Sequence, residues 1–231
     1  MRHPIILAVC MAGVTALAGC GEKDANATVE RAFKDVNVVD ETNLSDVMLT
    51  VADPNEAVSY FARSVKESPD RIDHQRGLAA SLVRAKRSTE AVGAWDKVTK
   101  MKGATPEDSV QLADALIRSG NWARAETVLN SIPPTHETFA RYRLEAMVAD
   151  SKEQWSRADS FYEIAVGLTT TPAAVMNNWG YSKLTRGDYP EAERLFGEAI
   201  RQDNTLFTAK NNLIMARAAQ RDYTLPVMPM E

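Results

Sequence analysis

Apolar and small residues recur along this chain with two periods at once, one helical turn and about thirty-four residues. Ala57, Ala91, Ala125, Ala158 and Ala192 follow one another at spacings of 34, 34, 33 and 34. Four residues after each stands a bulky apolar side chain, in order Phe61, Trp95, Leu129, Tyr162 and Phe196, one turn along the same helix face. Seven after the alanines come Ser64, Val98, Ile132, Ala165 and Ala199; twelve before them come Ser45, Ala79, Ala113, Ala146 and Gly180. Small residues in both sets predict antiparallel helix pairs that approach closely, with the large residue filling the gap to the next pair. Few stretches alternate apolar with polar residues around β-branched runs, so the chain reads as almost all α.

Other residues keep the same register. Asn177-Asn178 returns as Asn211-Asn212, and Asp188-Tyr189 as Asp222-Tyr223, both 34 residues later. Between the two helices of a pair an aromatic follows turn-forming residues: Trp122 after Gly120-Asn121, Trp155 after Gln154, Tyr189 after Gly187-Asp188, and Tyr223 after Asp222. Gly and Asn suit a left-handed helix end, and Asp or Asn starts the next helix. Because they fall on the period, these aromatics read as core packing. The spacing and residue set resemble the tetratricopeptide-repeat family over about residues 38–223. That resemblance implies a right-handed superhelical solenoid, all α, of five repeats and a final half repeat. They start near Val38, Ile72, Pro106, Phe139, Ala173 and Phe207. The first repeat departs most from the pattern, with Pro54 in the aromatic slot.

The N-terminus reads as an address. Arg2 precedes an uncharged run from Ile5 to Ala18, too short for a membrane span of about 20 residues and suited to a secretory signal. Leu17-Ala18-Gly19-Cys20 resembles the bacterial lipobox, which implies cleavage before Cys20 and a covalent lipid on its thiol. Ala16-Leu17-Ala18 also fits the A-x-A pattern of ordinary signal cleavage. Cys10 departs with the signal, leaving Cys20 and no internal disulfide. The expected organisation is a signal peptide at 1–19, a lipidated cysteine and flexible tether at 20–37, a solenoid at 38–223 and an extended apolar tail at 224–231. As a coil the tether would span about 20 to 25 Å. By resemblance to enterobacterial sorting, Gly21 in place of Asp implies the periplasmic face of the outer membrane.

Charge and chemistry narrow the function. Lys and Arg number 27 against 31 Asp and Glu, a formal charge of −4, which gives no overall basic surface for nucleic acid. No Gly-x-Ser-x-Gly, Walker loop or cysteine pair is present, so the expectation is a non-enzymatic protein with no metal and no cofactor beyond the lipid. His136-Glu137-Thr138-Phe139-Ala140 begins like a zinc-protease helix but carries Ala140 where the second histidine belongs. His74 reads as a polar helix residue.

First helices of such solenoids line a concave groove suited to partner segments. On the face that the resemblance points into the groove stand Arg76, Gln111, Asp114, Arg118, Arg143, Met147, Asn177, Asn178, Tyr181, Asn211, Asn212 and Met215. An amide donates and accepts at once, so the asparagine ladder suits an extended peptide backbone, or else satisfies neighbouring backbone and water. Tyr181, Met147 and Met215 offer adaptable apolar contact, and the arginines can pair with carboxylates. Asp114 and Arg118 also form an i, i+4 ion pair in the ordinary way. Pro226 and Pro229 forbid a second helix after the last half repeat, so the tail either covers its apolar side or docks a partner.

A lipobox followed by repeats, the Asn-Asn-Trp-Gly motif and a Pro-rich apolar tail is similar to the TadD-type assembly lipoproteins of tight-adherence (Flp) pili. The resemblance implies a scaffold or pilotin with protein partners, a secretin or other pilus components, and membrane contact through its lipid anchor. A type IV pilus pilotin and a scaffold for peptidoglycan enzymes are the competing readings.

Overall fold

The computed structural model describes residues 39–220, with side chains described from residue 44. The signal, Cys20, the tether, Tyr223 and the tail therefore lie outside the described residues. Contacts divide the chain between Ser45 and Asp46, and the helix pairs lie in the unit from Asp46 onward. The elements are α1 (Val39–Thr50), α2 (Pro54–Glu67), α3 (Ile72–Arg84), α4 (Ser88–Val98), α5 (Pro106–Arg118), α6 (Trp122–Ser131), α7 (Phe139–Asp150), α8 (Trp155–Gly167), α9 (Ala173–Thr185), α10 (Tyr189–Gln202) and α11 (Phe207–Gln220). No strand interrupts them among the described residues. Five of the six expected repeat starts coincide with the first residue of a helix.

Local chemistry sets these boundaries. Asp53 caps α2 by accepting from the backbone N–H of Asn55 at 2.8 Å, and Pro54 fills the first helical position, where a missing N–H costs nothing. Thr105 and Asp108 form a reciprocal capping box ahead of α5, again with proline first. The turns inside the repeats place Lys86, Gly120, Glu153 and Gly187 in equivalent left-handed positions, with φ of 59°, 78°, 58° and 83°. A side chain there crowds its own carbonyl, so Glu153→Gly is expected to stabilise by about 0.5–1 kcal/mol. Thermal unfolding checks this, as a rise of about 1–4 °C.

Packing follows the period. The five phased alanines are fully buried, and Phe61, Trp95, Leu129, Tyr162 and Phe196 are buried beside them. A β-carbon built on Gly180 would lie 2.8 Å from the Phe196 ring, so the large residue of α10 rests on the small residue of its own partner helix. Phe61 reaches instead to the next pair, where a β-carbon on Gly77 would lie 2.3 Å from its ring. The large residue thus fills gaps within pairs as well as between them. The core is a row of clusters, one running from Val58 to Val148, a second around Tyr162 and Val175, and a third around Ala192, Phe196 and Ala216. Such stacking makes stability a sum of neighbour terms.

At the C-terminal end α11 leaves Phe207 and Ile214 exposed, 73% and 66%. They lie seven residues apart on one side of the helix, as expected of a first helix without a described partner. No helix among the described residues is long and apolar enough to cross a membrane.

Candidate functional site: the concave face

First helices touch in succession, α5 against α7, α7 against α9 and α9 against α11, and so form one inner surface. On that surface lies a cavity of about 310 Å³. Helix α7 and the residue after it contribute Met147, Asp150 and Ser151; α9 contributes Asn177, Asn178, Tyr181, Ser182 and Thr185; α11 contributes Asn212. Trp122 at the start of α6 and the buried Tyr162 of α8 complete it.

Five residues expected in the groove, Met147, Asn177, Asn178, Tyr181 and Asn212, are brought together here. Asn212 Nδ2 donates to Asn177 Oδ1 at 3.0 Å, joining α11 to α9, and Asn178 Nδ2 approaches Met147 Sδ at 3.6 Å. The ladder is therefore pre-set by its own contacts while keeping amide capacity for a ligand. Tyr181 is half exposed, Met215 similarly so, and Asn211 faces solvent beside the cavity without lining it.

The remaining expected groove residues are held elsewhere by ion pairs and hydrogen bonds. Arg76 grips Asp108 through Nε at 2.7 Å and Nη2 at 2.8 Å, and reaches the Gly103 carbonyl at 3.1 Å. Burial pushes the Asp108 carboxyl up, but Arg76 and the N–H and hydroxyl of Thr105 together outweigh it and hold its pKa below the ordinary range. Gln111 donates to Glu107 at 2.8 Å. Arg118 bonds Asp114 one turn back, and Arg143 reaches the same carboxylate from α7 at 3.2 Å. This cross-helix pair locks the inner helices of two repeats together.

Asp150 and Ser182 were not among the expected site residues, and Tyr162, expected in the core and buried there, also lines the cavity. Ser182 Oγ donates to Asp150 Oδ1 at 2.7 Å, and the Tyr162 hydroxyl donates to Oδ2 at 2.9 Å. Burial raises the Asp150 pKa, with these two donors opposing it; burial and the adjoining Asp150 raise that of Tyr162 well above its usual value. The available signal was position, since Asp150 and Thr185 lie one turn past Met147 and Tyr181. Trp122, expected in the core, is 37% exposed and forms part of the cavity wall.

Behind α9, Asp159 accepts from Trp179 Nε1 at 2.6 Å and pairs with Lys183 and Arg186. Burial pushes its carboxyl up, and Arg186, Trp179 and Lys183 more than offset this, leaving the pKa lowered. His136 Nε2 lies 3.3 Å from Glu107, and His74 Nδ1 lies 3.1 Å from the Ser64 carbonyl oxygen. Among the described residues no group of three or more His, Cys, Asp or Glu is placed to hold a metal. The arrangement on the inner face suits recognition.

Comparison with known proteins agrees with this architecture. Residues 177–225 match the tetratricopeptide-repeat family model, a stretch that carries both asparagine pairs. Stress-induced-phosphoprotein 1 of Caenorhabditis elegans is 23% identical over 164 residues, 71% of this chain and 51% of its own length. The chain thus spans about half the length of that relative. The Cut9–Hcn1 hetero-tetramer of the APC/C superposes with a TM-score of 0.69 at 18% identity, covering 85% of this chain and 40% of that chain. PilW, a widely conserved type IV pilus biogenesis factor, superposes with a TM-score of 0.61 at 13% identity over 79% of this chain and 91% of that chain. The fold is a solenoid of the tetratricopeptide-repeat type.

Proposed function

We propose that this tetratricopeptide-repeat solenoid is a non-enzymatic scaffold that binds segments of partner proteins on its concave face and is held at a membrane by a lipid on Cys20. One observation carries the binding role. Three successive first helices converge on an open cavity that combines apolar walls with amide side chains, a combination suited to an extended peptide. Repeat solenoids use such concave surfaces for recognition.

The finer reading is a pilotin or scaffold of a tight-adherence (Flp) pilus at the periplasmic face of the outer membrane, acting on the secretin or another assembly component. The lipobox resemblance, the repeat layout and the apolar tail support it. The fold likeness to a type IV pilus biogenesis factor favours the same kind of setting, with a type IV pilotin as the second reading.

Anchoring has a direct test. The two or three acyl chains of a mature lipoprotein hold a protein stably, whereas none leaves only its surface. Cys20→Ser is expected to move the chain from the membrane pellet to the soluble fraction, and a mutant that stays in the pellet contradicts the anchor. The role is tested by measuring membrane-inserted secretin multimer in cells lacking the chain. A several-fold loss, restored by the wild-type chain and not by Cys20→Ser, is expected; an unchanged level contradicts the pilotin reading.

A further inference from the structure

The cavity contains a carboxylate with no direct ion-pair partner, attracted only from a distance by Arg186, which is bound to another acid. Asp150 is a partly buried carboxylate on its wall, and among the described residues no Lys, Arg or His nitrogen pairs with it. Its two oxygens each accept one hydrogen bond from a neutral hydroxyl, which leaves about half of a carboxylate's acceptor capacity unused. The cations that could have served it are engaged. Arg186 binds both oxygens of Asp159, at 2.6 and 2.8 Å, and Arg143 is turned to Asp114 at 3.2 Å.

Buried carboxylates in a fold are ordinarily paired, because an unpaired one is costly. Ser182 and Tyr162 fix this one in place, which is how a recognition group is built rather than how a charge is neutralised. The space beside it is large enough for a long side chain, since about 310 Å³ compares with about 30 Å³ per water. Met147, Tyr181 and Trp122 offer apolar and aromatic wall to a methylene stem, and the aromatic faces favour a cation nearby. Asn177 and Asn212, joined to each other, keep the Asn177 Nδ2 donor group and the Asn212 Oδ1 acceptor wholly available to a peptide backbone.

We propose that the cavity between α7, α9 and α11 is a specificity pocket for a lysine or arginine side chain presented by an extended segment of a partner protein, with Asp150 as its counter-ion. The inference rests on the reading of the concave face as a partner-binding surface and adds the chemistry of what it selects.

The test is selection of binders to the full-length chain from an unbiased display library of random dodecapeptides, followed by affinity measurements on one selected peptide. Selected peptides are expected to share a basic residue at one fixed position. Asp150→Asn is expected to weaken the selected peptide about 30-fold or more, as loss of one partner of a desolvated charge pair does. Replacing the basic residue by norleucine should cost a similar factor in the wild type and little more in Asp150→Asn, since both remove the same pair. Tyr181→Ala should weaken binding while preserving the basic preference. Asp150→Asn should melt close to the wild type at neutral pH, because losing a partly buried charge offsets the change at the two hydroxyls, one of which must turn to accept from the amide N–H; a melting temperature lowered as far as that of a buried-core substitution would make Asp150 structural and overturn the assignment. Peptides that depend on Tyr181 but show no basic position, or that bind Asp150→Asn equally, overturn the pocket and leave the groove reading standing. A library that yields no binder overturns both.

Discussion

Phe196→Ala is expected to destabilise the C-terminal repeats by about 3–5 kcal/mol, the cost of removing a fully buried aromatic side chain. Phe196 is fully buried between Ala192 and Ala216, and its ring rests on Gly180, where no side chain can swell into the vacated space. The loss is local in a stacked architecture. The cluster around Phe196 is separate from the larger one between Val58 and Val148, so its failure need not propagate to α3–α6. Hydrogen exchange should show amide protection falling over α10 and α11 and holding over α3–α6. Uniform loss across the chain would show that the repeats unfold as one unit.

Arg76→Ala is expected to cost about 3 kcal/mol, the lower part of the range for breaking a buried ion pair, because the Arg76 side chain keeps 30% exposure and admits water. What remains is the Asp108 carboxylate, 3% exposed, holding only the Thr105 groups. The pH dependence has a definite sign. Asp108 titrates below its unfolded value, so its contribution is present above about pH 4 and is lost as pH falls through the depressed native pKa. Removing Arg76 removes that advantage. The variant should melt lower at neutral pH and lose less further stability on acidification than the wild type, as thermal unfolding at several pH values would show. Equal melting temperatures at neutral pH would mean that Thr105 alone satisfies Asp108.

Arg76 also shows what a linear reading can and cannot recover. Helix starts at Ile72, Pro106, Phe139, Ala173 and Phe207 were legible because core slots repeat with the period and each boundary carries its own turn or proline chemistry. The buried alanines and large residues were legible for the same reason: a solenoid makes equivalent contacts at equivalent positions. The inner face was legible only as a direction. Arg76, Gln111, Asp114, Arg118 and Arg143 were placed there by helical phase and the family resemblance; the Asp114–Arg118 pair one turn apart was legible, but whether Arg76 and Arg143 are free or spent depends on Asp108 and Asp114, 32 and 29 residues away on another helix. Asp150 and Ser182 were passed over for the converse reason, and Tyr162 was read only as the buried core residue it also is. Each looks like an ordinary helix residue until three elements meet. Trp122 sat in an aromatic slot that reads as core, yet it stands 37% exposed in the cavity wall.

Whether the concave face is the working surface is measured by photo-crosslinking in cells from a reactive residue at position 178, on that face, compared with the same residue at exposed position 160 on α8. The expected result is a discrete adduct from position 178, identified by mass spectrometry as a secretin or another envelope assembly component, and none from position 160. An adduct from position 160 alone, or from neither, would contradict the concave face as the working surface.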